Sequence, residues 1–234
     1  MFDMSNIKFY RSLNWGDNLT CGGTNTFSEL ADDSLTNLFT DVPGEYCMWG
    51  GHRYRKLFVG NESTTDTLRS TFIFVGKDSD GDDSLSLHIG TDSDVLYEII
   101  DTYTTNWYGV GIVETELIGR DTRLEGPVTE YFNVTTLDSY SGFPVRCFVC
   151  IHEGDLYEIV ETKDSVWESA NSVRLYLANQ LEHTFTVGLA EVSCMLPIGN
   201  FGPEQTVSIW IRQTIPVDSD TKRGCRPHIR IVGV

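Results

Sequence analysis

The residues best suited to bind a metal ion form the acidic run Asp78-Ser79-Asp80-Gly81-Asp82-Asp83. Aspartates at alternate positions are typical of calcium-binding loops, because Ca²⁺ prefers carboxylate and carbonyl oxygens. The spacing is not that of an EF-hand, since Gly81 is the fourth residue and no Glu occupies the twelfth position. An exposed Asp-Gly turn explains the same residues. We therefore expect a turn, with no metal or cofactor; calcium bound by Asp78, Asp80 and Asp82 is the alternative.

Residues that could act in catalysis are scattered along the chain. The five histidines are isolated, and there is no HExxH motif, GxSxG motif or phosphate-binding glycine loop. Carboxylate pairs of the kind that hydrolyse glycosides could come from Glu114 with Glu116, or from Glu130 with Asp138. Because the chain has 34 acidic residues, such pairs also arise by chance. We therefore predict that the protein is not an enzyme and assign no catalytic residue.

Two of the six cysteines have the metal-binding CxxC spacing, Cys147-Phe148-Val149-Cys150. This motif lies inside an apolar run, which predicts a strand. Residues three apart on a strand face opposite sides, so the two sulfurs do not converge on one metal ion. The chain is also too long to need a disulfide framework in place of a core. We expect buried free thiols.

The segment His52-Arg53-Tyr54-Arg55-Lys56 is a basic cluster in an acidic chain. On a strand, the two arginines share a face. Arginine is enriched at protein interfaces, where its planar fork pairs with carboxylates. We therefore predict a partner interface at Arg53, Tyr54, Arg55 and Lys56. Internal pairing of these residues with acids of the same chain is the alternative.

The composition restricts the classes of partner. The net charge is −17, which argues against binding nucleic acid through a basic surface. No segment approaches the roughly 20 apolar residues that span a bilayer. The first residues lack the basic and apolar regions of a signal peptide. We therefore expect a protein made in the cytoplasm, with no nucleic-acid or membrane partner.

Short runs rich in Val, Ile, Thr and aromatic residues recur between turn residues and predict β-strands. The predicted strands are Ile7–Tyr10, Tyr54–Asn61, Thr71–Gly76, Ser84–Ile89, Val110–Leu117, Glu130–Val134, Val145–His152, Val173–Leu177, Phe185–Leu189, Val207–Arg212 and Ile229–Val232. The third and fourth of these strands predict a hairpin, as do the last two. Helical spacing is weak and occurs at 94–100 and 166–171.

Many short strands separated by turns predict an all-β fold, specifically a single-domain antiparallel β-sandwich of jelly-roll type. The sequence contains no Pro/Gly/Ser-rich linker and no internal repeat. We therefore expect one domain over 1–234, with the longer central loops at 91–170 as an elaboration within it.

The two ends of the chain share an order of segments with a known group of proteins. The C-terminal end has a turn rich in Gly and Pro from Gly199 to Pro203, a strand ending in Trp210-Ile211-Arg212, a polar loop and a last strand. The N-terminal end has an opening strand, an Asn37-Leu38-Phe39 segment and a Tyr54–Asn61 strand. This order resembles that of tailed-bacteriophage virion structural proteins of the β-sandwich type.

The resemblance implies a non-enzymatic component of a bacteriophage particle that binds the shell and itself. It would be a head-decoration or cement protein, or a collar or tail-associated subunit. The implied partners are the major capsid protein or neck and tail proteins, together with copies of this chain, most simply as a trimer. The alternative is a carbohydrate-binding or receptor-binding β-sandwich module on a virion. In that case exposed loop aromatics such as Trp49 or Trp107 would stack on sugars.

Overall fold

A computed structural model describes residues 4–30, 38–39, 41–77, 83–100, 107–115, 117–120, 129–136, 142–219 and 228–233. Over these residues the chain forms antiparallel β-strands and short helices, which confirms the predicted all-β class. The jelly-roll arrangement stays a prediction. The chain divides into two compact units, one of Met1–Thr105 with Leu196–Val234 and one of Asn106–Met195.

The elements in chain order are a 3-10 turn at Met4–Asn6, β1 Ile7–Asn14, β2 Gly22–Leu30, α1 Gly44–Trp49, β3 Gly51–Asn61, β4 Leu68–Lys77, β5 Ser84–Ile89, α2 Leu96–Ile100, β6 Tyr108–Val113, β7 Tyr131–Thr135, β8 Phe148–Glu153, β9 Leu156–Ser169, β10 Ser172–Leu177, β11 Glu191–Phe201, β12 Thr206–Ile215 and β13 His228–Gly233.

The first unit contains two antiparallel sheets. One has the strand order β5-β12-β3-β1-β2, and the other has the order β13-β4-β11, with β11 contributing residues from Leu196 onward. Strand β12 lies inside the larger sheet and is buried on both faces from Ser208 to Ile211. Strand β5 is also buried on both faces from Ser84 to Leu87, although its alternation of Ser and Leu predicts one solvent-facing side.

Neither predicted hairpin forms. Strand β4 pairs with β11 on one edge and β13 on the other, whereas β5 pairs with β12. The last two strands also separate, since β12 lies between β3 and β5 while β13 pairs with β4. The connections are longer than the two-residue turns that force consecutive strands to pair, so the chain can cross from one sheet to the other.

The second unit is an antiparallel sheet of six strands that closes on itself. The pairing order is β6-β7-β10-β9-β8-β11, and Glu191, Val192 and Ser193 of β11 also pair with β6. Strand β10 alternates between buried apolar and half-buried polar side chains, as expected for a strand with one face toward a core. The enclosed core includes Phe132, Val149, Val173, Leu175, Phe185 and Val192.

The second unit has a hydrophobic core of its own. The sequence, in contrast, predicts one domain in which 91–170 is only an elaboration. The sequence also does not predict β2, β9 or β11. Strand β2 is rich in glycine and polar residues, and β9 is long and heavily charged, so both lack the apolar alternation that indicates a strand. The Phe185–Leu189 segment is a turn region, joined to Leu117 by an isolated bridge.

Candidate functional site

The basic cluster is buried inside the first unit. Arg53, Arg55 and Lys56 lie on β3, the central part of the larger sheet, and their side chains are almost completely inaccessible to solvent. Tyr54 is half-buried and lies against His52. The predicted partner interface is therefore not an exposed basic surface. The alternative, internal pairing with acids of the same chain, is the arrangement that the structure contains.

Asp17 holds the two arginines. Arg53 donates from Nη2 to Oδ2 of Asp17 at 3.0 Å, and Arg55 forms an ion pair with Oδ1. Arg55 also donates from Nε to the Leu38 carbonyl at 2.9 Å, and both guanidinium groups lie over the ring of Phe39. The predicted shared face of the arginines is confirmed, because one carboxylate reaches both of them.

The arginines also set the ionisation of Asp17. Burial by itself raises the pKa of this carboxyl group. Hydrogen bonds and charges from Arg55 and Arg53 outweigh burial, so the pKa lies below its ordinary value. Asp17 is therefore the ionised partner of the two arginines at neutral pH.

Lys56 points to the opposite face of β3 and binds Asp94. Its ammonium group lies 2.5 Å from Oδ1 of Asp94, 3.1 Å from the Asp94 carbonyl and 2.7 Å from the Gly23 carbonyl. The second carboxylate oxygen accepts hydrogen bonds from Trp210 Nε1 at 3.1 Å and from the Thr91 backbone N–H at 3.0 Å. The ammonium group is surrounded by oxygens and closed to solvent, so Lys56 has a structural role.

The geometry nearest to a nucleophilic site is in the second unit. His152 Nε2 lies 3.5 Å from Ser193 Oγ and 3.7 Å from Glu191 Oε2. A Ser-His-acid triad needs the two ring nitrogens to contact different partners, whereas here the same nitrogen faces both. Ser193 is also fully buried. This trio does not form an acyl-transfer site.

The other predicted acidic sites are only partly described. The carboxylate Glu114 binds the hydroxyls of Thr135 and Ser172, while Glu116 and Asp138 lie outside the described residues. The candidate calcium ligands Asp78, Asp80 and Asp82 also lie outside them. Among the residues that the structure does describe, no group of three or more His, Cys, Asp or Glu side chains could hold a metal ion.

The loop tryptophans differ in exposure. Trp107 is only 7% exposed, so its ring offers no face for stacking on a sugar. Trp49, at the end of α1, is 74% exposed. Trp15 is half-buried between Arg11 and Arg55, whose guanidinium carbons lie 5.2 and 5.7 Å from the ring centroid. Of the two tryptophans predicted to stack on sugars, only Trp49 has the necessary exposure.

Five cysteines lie in the described part of the chain and form no disulfide with one another; four are buried, and Cys47 is half-buried. Cys147 points into the core of the second unit, where its sulfur lies 3.5 Å from Thr162 Oγ1 and hydrogen-bonds with the Cys194 thiol. The hydrogen bond from Cys194 lowers the pKa of Cys147, and burial raises the pKa of Cys194. Cys147 therefore contacts a cysteine of β11, which is distant from the CxxC motif in the sequence.

Comparison with known proteins gives no relative: no protein-family model, curated protein or solved structure matches this chain. Among the described residues, none of the helices has the length and apolar character needed to cross a membrane.

Proposed function

We propose that this chain is a non-enzymatic structural component of a bacteriophage particle that binds the shell and itself. Its place would be that of a head-decoration or cement protein, or of a collar or tail-associated subunit, in the virion. The order of segments at the two ends of the chain supports this proposal. Those segments include β1, β3, β12 and β13, which are sheet strands of the first unit.

The observation that carries the proposal is an exposed apolar cluster beside α1, which we call the α1 patch. It consists of Met48, Trp49 and Val217, all more than half exposed. The segment that carries Val217 is joined to α1, since the Ser219 N–H donates a hydrogen bond to the Cys47 carbonyl at 3.0 Å. Large apolar side chains grouped on a surface are typical of protein contacts, because water contact with them is unfavourable.

The burial of the basic cluster strengthens the argument. Three of the 17 Lys and Arg side chains are enclosed in the first unit, so the accessible surface is left with fewer positive charges. Such a surface repels DNA and other acidic polymers. Contacts through apolar residues such as Trp49 do not require opposite charges on the two partners, so they can join this chain to a shell protein or to another copy of itself.

The test is the copy number of the chain in purified particles, measured by quantitative peptide mass spectrometry against the major shell protein. A ratio near one, or a simple fraction of it, supports a decoration or cement role. A few to a few tens of copies supports a collar or tail position. Absence from the particle contradicts the proposal.

The α1 patch is tested separately with Trp49→Ala, and Tyr97→Ala is the matched control because Tyr97 is an exposed aromatic residue of the same unit. We expect Trp49→Ala to reduce self-association or particle binding, measured by light scattering and by co-sedimentation with particles. Equal losses in the two variants would contradict a specific role for the patch.

A further inference from the structure

The outer face of the second unit carries a connected set of polar and aromatic side chains on three adjacent strands. The alternation that buries Phe132 and Leu175 turns Tyr131 and Asn133 of β7, and Arg174 and Tyr176 of β10, to the outside. In the strand register Tyr131 lies opposite Tyr176, and Asn133 lies opposite Arg174. Glu168 of β9 completes the set, which we call the Tyr131 face.

Hydrogen bonds fix the polar half of the Tyr131 face. Arg174 donates from Nε to Asn133 Oδ1 at 3.2 Å and forms an ion pair with Glu168. Asn133 in turn donates from Nδ2 to Glu168 Oε2 at 2.9 Å. An amide, a guanidinium and a carboxylate are thereby held in one closed ring of contacts. Each group can form further hydrogen bonds, since a guanidinium has five N–H donors and a carboxylate has several lone pairs.

The aromatic half adjoins this ring of contacts. The Tyr131 and Tyr176 rings have centroids 5.5 Å apart, and the Arg174 guanidinium carbon lies 4.8 Å from the Tyr131 centroid. Tyr131 is nevertheless 50% exposed. A tyrosine held by its neighbours but open to solvent provides an apolar surface at little cost in side-chain entropy.

The charges on the face indicate the class of ligand. The positive charge of Arg174 is matched by Glu168, and nearby Glu114 is bonded to the hydroxyls of Thr135 and Ser172. The face therefore has no excess of positive charge to attract an anion. A rigid aromatic surface beside fixed hydrogen-bond donors and acceptors is complementary to an uncharged molecule that has both an apolar face and adjacent hydroxyl groups.

We propose that the Tyr131 face binds a neutral saccharide. The Tyr131 ring stacks on the apolar face of one sugar ring, while Asn133, Arg174 and Glu168 form hydrogen bonds with its neighbouring hydroxyls. Bonds to the charged groups are the stronger ones, and they give orientation as well as affinity. This site does not depend on the role proposed for the chain in a particle.

The test uses the full chain and soluble hexasaccharides of β-1,4-glucose, β-1,3-glucose, α-1,4-glucose, β-1,4-mannose and β-1,4-N-acetylglucosamine, with a sulfated heparin hexasaccharide as the anionic comparison. Binding is measured by isothermal titration calorimetry. We expect at least one neutral probe to bind with a Kd below about 1 mM, and the heparin probe to bind more weakly. Absence of binding by every neutral probe up to about 10 mM, or tighter binding of heparin, would overturn the proposal.

Variants then locate the site. Tyr131→Ala and Arg174→Ala are expected to weaken binding by about tenfold or more, whereas Tyr131→Phe keeps the ring and stays within about twofold. Tyr157→Ala is the matched control, because Tyr157 is an exposed tyrosine on β9 of the same unit. Arg174→Lys keeps the charge but loses the planar fork, so it reports on hydrogen bonding if Arg174→Ala does not fold. Unchanged affinity in a folded Tyr131→Ala variant would overturn the assignment.

Discussion

Lys56 and Trp210 lie directly opposite each other on neighbouring strands and bind the two oxygens of one carboxylate, that of Asp94. The ammonium group also lies 5.8 Å from the indole ring centroid, so the lysine is in contact with both the acid and the aromatic ring. Asp94 belongs to the segment between β5 and α2. Its carboxylate therefore attaches that segment to the middle of the larger sheet of the first unit.

This arrangement predicts strong energetic coupling between Lys56 and Asp94. Removing one partner leaves the other charge buried without its counter-ion, which typically costs about 3–5 kcal/mol. We expect Lys56→Met and Asp94→Asn each to lower the free energy of unfolding by about 3 kcal/mol, and the double variant to lose less than the sum by about 1–3 kcal/mol. Urea unfolding measures all three. Asp92→Asn, at an exposed position nearby, is the control and should change stability by less than about 0.5 kcal/mol.

Each contact of Asp17 should contribute less to the free energy of unfolding than those of Asp94, because the Asp17 side chain is 37% exposed and water screens its charge. Two buried arginines nevertheless depend on it. We expect Asp17→Asn to lower the free energy of unfolding by about 2 kcal/mol in urea unfolding. A change as small as that of Asp92→Asn would mean that the other contacts of the arginines, which include Phe39, Gln213 and backbone carbonyls, hold them without Asp17.

The contribution of Asp17 should also depend on pH in one direction. Its pKa in the folded protein lies below the ordinary value of 3.8. A carboxyl group with a lowered pKa stabilises the fold above its unfolded pKa, and this stabilisation is lost as the pH falls through the folded pKa. We expect the stability difference between the wild type and Asp17→Asn to be constant from about pH 7 to about pH 5 and to shrink below about pH 4. A difference that grows on acidification would contradict the assignment.

The positions of many strands could be predicted from sequence, but their partners could not. Strands β3 and β12 lie where alternating apolar residues predict them. The sequence pattern is local, whereas pairing is decided by which faces can be buried together. Strands β4 and β5 follow each other in the chain and still belong to different sheets. Nothing within either strand encodes that separation.

The same holds for the buried basic cluster: its local geometry could be predicted from sequence, but its distant partner could not. Strand alternation is enough to predict that Arg53 and Arg55 share a face, and Asp17 confirms it. Their burial could not be predicted, because charged residues are rarely enclosed unless paired, and the pairing acid lies 36 residues from Arg53 among 34 candidates. The role of Asp94 could not be predicted from the sequence either, since Lys56 and Trp210, which bind its carboxylate, come from separate strands.

Gly22 should be required for the packing of Trp210. Its φ of +110° is unfavourable for other residues, and a Cβ atom at this position would lie 2.7 Å from both the Trp210 ring and the Asp94 carbonyl oxygen. We expect Gly22→Ala to destabilise the fold by about 2 kcal/mol or more. Gly44→Ala is the control, because a Cβ there meets nothing within 4 Å, and it should be neutral or slightly stabilising. Thermal unfolding of both variants tests the contact.

The rate at which each thiol reacts with a reagent in solution should follow the exposure of its sulfur and not its pKa. Cys147 has a lowered pKa, which favours the reactive thiolate, but it is buried in the core of the second unit together with Cys194. Cys47 is only half-buried. In a Cys225→Ala background, which removes the cysteine outside the described residues, we expect one equivalent to react rapidly with an aromatic disulfide reagent. Cys47→Ser should abolish this reaction, and urea should expose all the thiols. Rapid labelling at Cys147 in the native protein would mean that the core of the second unit opens to solvent, because only opening would let the reagent reach its thiolate.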